Sequence, residues 1–314
     1  MIQKRTIGIV GTGQVGMAAG YAIFLRGLVS EIILIDKDRR RAEGEAMDLM
    51  HGQAFAGSVM VRVGEYADLE SAQLVIITAG VAQKPGETRL DLLNRNADVF
   101  RQIVEQLDRY CPQAVLIIAT NPVDVLTYVT QALTRRSGDL VIGTGTMLDT
   151  ARFRALLGRH YGVDPRSVHA YILGEHGDTE VPIWSTANIG GVPLVGHTIL
   201  GKPFEPDLMA QLFESVRNAA YEIISRKGYT NTAIGSAIAR LVDAVLDDER
   251  SILPVSHRLT GQYGLDEVCL SIPSIVGRDG TTDALLPRLS ADEREGLQHS
   301  AAVLQESLQG IDLG

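Results

Sequence analysis

Along the first half of the chain, short apolar runs alternate with stretches in which apolar residues return every three or four positions. Thr6 to Val10 is a β-branched run closed by Gly11, and Val15 to Gly27 carries apolar residues at helical spacing. Glu31 to Ile35 (EIILI) reads as a second strand, Arg40 to Met50 as a helix, and Val59 to Val63 as a third short strand. Leu74 to Thr78 and Val115 to Ala119 are continuous apolar runs, the kind buried on both faces. The helix expected between them, about Asn94 to Tyr110, carries Val99, Ile103 and Leu107. Strands alternating with helices predict a parallel sheet with right-handed crossovers and helices on both faces.

After about Thr146 the rhythm changes. A helix is expected over Thr150 to Tyr161, then strands over Val168 to Leu173 and Val181 to Ile189 in a more antiparallel setting. A long helix follows, about Pro206 to Lys227, and another from Thr232 to Asp247. The last helix opens on Ser290-Ala-Asp-Glu293, a capping box, and is expected to bury Leu297, Ala301, Leu304 and Leu308. The expected class is therefore α/β: an N-terminal parallel-sheet domain, residues 1–146, and a C-terminal mixed α+β domain, residues 147–314. There are no internal repeats and no low-complexity linker.

Composition narrows the partners. The 314 residues suffice for one large or two ordinary domains, and 45% are hydrophobic. Thirty-two glycines and only 5% aromatics favour tightly turned α/β architecture packed with aliphatics. A net charge of −9 makes nucleic acid a poor partner, and the longest basic run, Lys37 to Arg41, contains Asp38. The two cysteines, Cys111 and Cys269, have no CxxC spacing and are expected to be packed thiols in a reducing, cytoplasmic setting. The opening MIQKRTIGIVGTG is neither a signal peptide nor an anchor, and no apolar stretch approaches the roughly 18 residues a membrane span needs.

Gly11-Thr-Gly13-Gln-Val-Gly16 lies between the first strand and the first helix, and Asp36 ends the second strand twenty residues after Gly16. This is the Rossmann fingerprint. The first glycine permits the turn, the second lets backbone approach a pyrophosphate, and the third lets helix pack on strand. The helix start offers unpaired N–H groups to the phosphates. Asp36 would accept hydrogen bonds from the adenine ribose hydroxyls and repel a 2′-phosphate, so NAD is the expected cofactor. Lys37, Arg39, Arg40 and Arg41 follow closely. They are read as a solvated helix start, with softened discrimination against NADP as the alternative.

Three further segments carry polar groups that a plain dinucleotide-binding domain does not need: Thr120-Asn121-Pro122, Leu148-Asp-Thr-Ala-Arg152 and Gly174-Glu-His-Gly-Asp178. Each follows an apolar or glycine-rich stretch, which places it at strand ends, where open α/β sheets bind ligands. A fourth, VAQKPGETRLDLL from Val81 to Leu93, empties a buried strand into Gln, Lys, Pro, Gly, Glu and Arg. Together with LDTARFR, GEHGDTE and KGYTNTAIG, these strings resemble the 2-hydroxy-acid dehydrogenases of the lactate and malate dehydrogenase family, in its bacterial lactate branch. The resemblance runs from Gly8 to the C-terminal helix.

The resemblance implies a set of roles. His176 is the proton acceptor in lactate oxidation and the donor in pyruvate reduction, because imidazole titrates near neutrality. Asp149 orients that imidazole and stabilises its protonated form. Arg152, on the same helix face at i+3, clamps the substrate carboxylate in a two-pronged pair. The Val81 to Asn94 segment is a lid, and on closing its Arg89 stabilises charge on the carbonyl oxygen. Asn121 bonds the substrate oxygen and neighbours the nicotinamide ribose. Thr230 faces the substrate methyl, and Ile234 walls the nicotinamide ring. Val15 and Gly80 join Gly11, Gly13, Gly16, Asp36 and Asn121 as cofactor contacts. So does Thr144, where the family more often has Ser.

Gln83 is the expected specificity reader. The malate branch neutralises a second carboxylate with an arginine at this position. A neutral Gln83 leaves that carboxylate unpaired, at a cost of roughly 3–5 kcal/mol. The expected chemistry is therefore lactate to pyruvate, with a lactate-dehydrogenase-like malate enzyme as the alternative. The NAD-dependent glycosidases share this fold but need metal-binding Cys and His, which Cys111 and Cys269 do not supply. No metal site is expected; Asp48 and His51 read as a helix-face pair without a third ligand.

Arg154, two residues past Arg152, points off the catalytic face, and His169 lies seven residues before His176. In allosteric bacterial members of the family an arginine and a histidine at these positions bind fructose 1,6-bisphosphate across a subunit interface. The resemblance thus implies regulation there and a homotetramer, a dimer of dimers. The chain begins almost directly with its first strand, without the arm that braces vertebrate tetramers, so ligand-assisted assembly is expected.

Overall fold

The computed structural model describes residues 5–82 and 86–312. In the first half, β1 (Thr6–Val10), α1 (Gln14–Arg26), β2 (Glu31–Ile35), α2 (Arg39–His51), β3 (Met60–Val63), β4 (Leu74–Ile77), α3 (Arg89–Tyr110), β5 (Val115–Ile118), α4 (Val123–Leu133) and β6 (Val141–Gly143) alternate as the pattern requires. These six strands pair in parallel, in the spatial order β3-β2-β1-β4-β5-β6. Every residue of β1, β2, β4, β5 and β6 is buried. The continuous apolar runs follow from this, because successive side chains enter opposite layers. Ile33, Ile35, Val75, Ile77, Leu116 and Ile118 pack with α3 and α4 residues such as Phe100 and Leu126. Ile32, Leu34, Leu74, Ile76, Val115 and Ile117 enter the other layer with Ala19 and Ile23 of α1.

The second half contains α5 (Met147–Tyr161), β7 (Val168–Leu173), β8 (Val181–Ile189), β9 (Val192–Pro193), β10 (Thr198–Ile199), β11 (Lys202–Pro203), α6 (Pro206–Arg217), α7 (Ala219–Lys227), α8 (Thr232–Leu246), β12 (Ser251–Thr260), β13 (Asp266–Gly277), β14 (Gly280–Ala284) and α9 (Ala291–Leu308). β7, β8 and β9 form a separate antiparallel sheet. β12, β13 and β14 do not. They continue the large sheet antiparallel from β6, making nine strands in all.

Four features depart from the sequence expectations. Residues 251–284, where the pattern gives no element, hold the three strands β12, β13 and β14. Pro254 and Pro273 interrupt the runs there, yet they sit directly opposite each other, so both missing donors fall on one rung. The long helix from Pro206 is broken at Asn218, whose side-chain amide donates to the Glu214 carbonyl at 2.9 Å in competition with the backbone. α3 starts at Arg89, not Asn94, because Thr88 and Asp91 form a capping box. α5 starts at Met147, so Asp149 falls in its first turn. The capping box at Ser290 is present, and its Glu293 carboxylate also accepts the main-chain N–H groups of Trp184 and Ser185 at 2.8 and 2.9 Å. α9 buries Leu297, Ala301 and Leu304, with Leu308 partly buried.

Candidate active site

The glycine turn opens a cleft of about 580 Å³ along the ends of the parallel strands. Gly11 sits at φ +102°, and a Cβ there would lie 2.6 Å from the Ala79 nitrogen. A Cβ on Gly16 would lie 2.0 Å from the Gly11 carbonyl oxygen, so only glycine lets α1 press on the turn. Gly13 is the N-cap of α1 and supplies no side-chain cap, and nothing lies within 4 Å of where its Cβ would be. The first-turn N–H groups of α1 thus have no side-chain cap, which suits a pyrophosphate.

Asp36 lines the same cleft, with Gly11, Gly13 and Gly80. One of its oxygens accepts from the Thr12 N–H at 2.7 Å and the Thr12 hydroxyl at 2.9 Å, and the other accepts from the Asp38 N–H at 2.9 Å. Burial disfavours its charge, but these bonds and Arg41 outweigh that and hold the carboxyl below its ordinary range. A fixed carboxylate at the end of β2 suits ribose hydroxyls. These residues fit a nicotinamide dinucleotide. Lys37 and Arg41 also line the cleft, whereas Arg39 is drawn off by Glu43 and Glu65 at 3.1 and 2.6 Å.

The acid–base cluster forms where α5 meets the β7–β8 connection. Asp149 is 3% exposed. Its Oδ2 lies 2.6 Å from Nδ1 of His176, and its Oδ1 accepts from Arg152 at 2.8 Å. Burial opposes the Asp149 charge, but His176 and Arg152 overcome it and hold the carboxyl below its ordinary value. Burial likewise disfavours an imidazolium, yet Asp149, with Asp124 and Glu180 behind it, raises His176 to about 9. With Nδ1 committed to Asp149, Nε2 is the atom left to exchange a proton with a substrate. The His176 side chain keeps 26% of its accessible surface, so the ring is reachable.

The remaining residues gather around this cluster to differing degrees. Asn121 is exposed at the turn after β5, and Thr144 is buried after β6, its N–H bonded to the Ile118 carbonyl at 2.9 Å. Thr230 is half-buried just before α8, and Ile234 is half-buried within it. A Cβ on Gly235 would lie 2.6 Å from the Ala18 carbonyl carbon, so α8 packs backbone to backbone on α1, beside the cofactor cradle. Gln83 and the side chain of Arg89 lie outside the described residues. Arg154 and His169 take no part in the Asp149 hydrogen bonds. Arg154 Nε donates to the carbonyl of Ala170 at 2.9 Å, its guanidinium lies over the Tyr171 ring, and His169 is exposed on β7.

Two carboxyls were not singled out from the sequence. Asp124, 2% exposed, accepts the main-chain N–H of His176 at 2.7 Å, and burial raises its carboxyl to about 6. Glu180, 7% exposed, is raised to about 8 by burial and then by Asp149. The signal for Asp124 is an acid inside the otherwise apolar run Val123 to Leu126. Glu180 closes the GEHGDTE string itself. Among the described residues no group of three or more His, Cys, Asp or Glu is placed to hold a metal ion, and no helix is long and apolar enough to cross a membrane. Both thiols are buried, and burial pushes each above its ordinary value.

Residues 5–143 match the family model for the NAD-binding domain of lactate/malate dehydrogenases, and residues 146–312 match the model for their α/β C-terminal domain. The chain is 60% identical to an L-lactate dehydrogenase of Salinibacter ruber over 315 aligned positions, covering 100% of both chains. It is 49% identical to an L-lactate dehydrogenase of Thermus aquaticus, covering 97% of this chain and 99% of that one. Among solved structures it superimposes on the minor L-lactate dehydrogenase from Enterococcus mundtii with a TM-score of 0.96, at 42% identity and 99% coverage of each chain.

Proposed function

The chain belongs to the lactate/malate dehydrogenase family, and from that footing we propose that it interconverts L-lactate and pyruvate at the expense of NAD, as the last step of fermentative glycolysis. It is an NAD-dependent oxidoreductase. The observation that carries the reading is Asp149 held between His176 at 2.6 Å and Arg152 at 2.8 Å. One carboxylate thereby orients both the proton-transfer group and the substrate clamp. NAD bound in the cleft supplies the hydride acceptor.

The chain's residues do the rest. Arg152 takes the substrate carboxylate in a bidentate pair, which fixes the hydroxyl against His176. His176 accepts the hydroxyl proton at Nε2, and Asp149 stabilises the imidazolium through Nδ1. Asn121 and Arg89 attend the same oxygen, and Arg89 offsets negative charge there. Thr230 and Ile234 supply the wall on the methyl and nicotinamide side. In pyruvate reduction the proton travels back, and the raised proton affinity of His176 holds on the ring at neutral pH the proton that this step needs.

Gln83 supports pyruvate over oxaloacetate. It gives a second carboxylate no counter-charge, and each ~1.4 kcal/mol of that deficit is tenfold in rate. Arg154, bonded to the Ala170 carbonyl next to the exposed His169 of β7, supports a cationic site that fructose 1,6-bisphosphate closes between twofold-related subunits of a homotetramer. A cytoplasmic setting goes with both. The test is the rate of NADH oxidation with pyruvate and with oxaloacetate, each with and without fructose 1,6-bisphosphate. A pyruvate preference of a hundredfold or so is expected, sharpened by the bisphosphate. Equal use of oxaloacetate would sink the Gln83 argument. An unchanged pyruvate KM and unchanged assembly with the bisphosphate would remove the second site.

A further inference from the structure

The connection that carries His176 has little stiffness of its own. Gly174, at φ +92°, and Gly177 flank the Glu175-His176 pair. What fixes it is a set of main-chain tethers. Gly174 exchanges hydrogen bonds with Ser271 at 3.0 and 2.9 Å, the Glu175 N–H donates to the Ser300 hydroxyl at 2.7 Å, and the His176 N–H donates to Asp124 Oδ2 at 2.7 Å. Only the last of these reaches into the first half of the chain. There it meets the first turn of α4, directly after the turn that bears Asn121. His176 and Asn121 are two of the three side chains assigned above to one substrate oxygen, and Asp124 joins their backbones.

Asp124 is also a poor choice for a tether alone. A serine or asparagine oxygen would accept the same N–H without burying a charge. Asp124 is buried beside the Ser256 hydroxyl of β12, whose contact only partly offsets the cost of burying the carboxylate. Other ionisable groups press on the same region. Asp149 faces His176 from α5 and Glu180 faces it from its own connection, Arg152 of α5 faces Asp149 and Glu180, and Glu175 faces Asp124. Cys269 of β13 lies behind Asp124, and Arg217 of α6 lies beyond Glu180.

We propose that Asp124 is a positioning residue for proton transfer: it fixes the main chain of His176 relative to the Asn121 turn, and it places behind the imidazole a negative charge separate from that of Asp149. The proposal rests on the assignment of His176 as proton-transfer group in lactate and pyruvate chemistry. Asp124 touches neither substrate nor cofactor and acts through His176. Its charge favours the protonated ring, so pyruvate reduction keeps its proton donor to higher pH than Asp149 alone would allow.

Two variants separate tether from charge. Asp124→Asn keeps an acceptor for the His176 N–H and turns an amide donor toward Ser256, so its fold is expected to hold. Asp124→Ala removes both. The imidazole of His176 is titrated by NMR in the full chain, its signal assigned by its loss in His176→Asn. The pH profile of kcat/KM for pyruvate is measured beside it. Asp124→Asn is expected to lower the His176 titration by roughly half a unit to one unit, with the alkaline limb of kcat/KM moving down equally. Asp124→Ala is expected to lose a further tenfold or so in kcat with little change in NADH affinity. A titration in Asp124→Asn that superimposes on the parent's overturns the proposal, whatever Asp124→Ala does. The titration needs no turnover, so a parent inactive on pyruvate would count against the lactate reading alone.

Discussion

At the scale of the residue, the site is a crowd of carboxyls around one imidazole, and their differing protonation is its main property. Asp149 is held charged by His176 and Arg152, while burial and Asp149 together push Glu180 up to about 8 from an ordinary 4.5. Glu180 has no hydrogen-bond partner for its buried Oε1 among the described residues. A folded-state pKa above the unfolded one means that the folded chain binds the extra proton. Its contribution to stability is therefore fully present below about 4.5 and is lost as pH rises through about 8. Glu180→Gln removes that loss. Thermal melts at pH 5 and at pH 8 are expected to show the variant gaining on the parent at the higher pH, and a gain equal at both would refute the assignment. His176, Asp149 and Arg152 were legible because three residue types with complementary chemistry stood in long specific strings. Asp124 and Glu180 were not, because a buried acid looks like any other acid until its surroundings are known.

Elements explain which parts of the fold could be read. Strands buried on both faces, such as Leu74–Ile77 and Val115–Ile118, announce themselves by unbroken aliphatic runs. Helix ends depend on local hydrogen bonds that compete with periodicity. The capping box at Ser290 has the common Ser-x-x-Glu form and is legible, while that at Thr88 has Asp where Glu or Gln is the commoner partner, so periodicity alone places the start of α3 five residues late. The misplacement matters, because Arg89 is the first residue of that helix and not part of a free loop. Glu87 and Arg95, paired at 2.6 Å, tie the approach to the helix's second turn. Thr88→Ala is expected to cost about 1 kcal/mol, read as a lower urea midpoint at an unchanged m-value. It is also expected to lower kcat for pyruvate more than it weakens NADH binding, since the cap fixes where Arg89 starts. Parent kinetics in a variant of lowered stability would show that Arg89 does not depend on the cap. The prolines of β12 and β13 illustrate the opposite failure, in which pairing across the sheet accommodates residues that a single strand would not.

For the whole molecule, the surprise is continuity. The sequence suggests a parallel half and a mixed half, yet β12, β13 and β14 extend the first half's sheet, and α8 packs on α1 backbone to backbone. No single-strand pattern carries that information, because sheet membership is decided by partners more than a hundred residues away. One consequence is cooperativity. Trp184, the single tryptophan, lies in the second half between Phe153 and Phe204, at ring distances of 4.8 and 5.5 Å. NADH binds the first half. Held at about a hundred times its Kd it adds about 2.7 kcal/mol to the state it binds. If the sheet unfolds as one unit, thermal melts followed by Trp184 fluorescence and by far-UV circular dichroism will coincide and move up together with NADH. A tryptophan signal that ignores NADH would mean that the halves melt separately.

Asp149 serves two masters, and they are not independent. An anion arriving at Arg152 draws on the same guanidinium that neutralises this carboxylate, leaving more of its charge to His176. Occupancy of the clamp and occupancy of the ring by a proton then reinforce each other, each raising the other's affinity by the same factor. Capture of a carboxylate substrate is in that sense also an uptake of hydrogen ion, and the chain that has bound pyruvate is the one best loaded to reduce it.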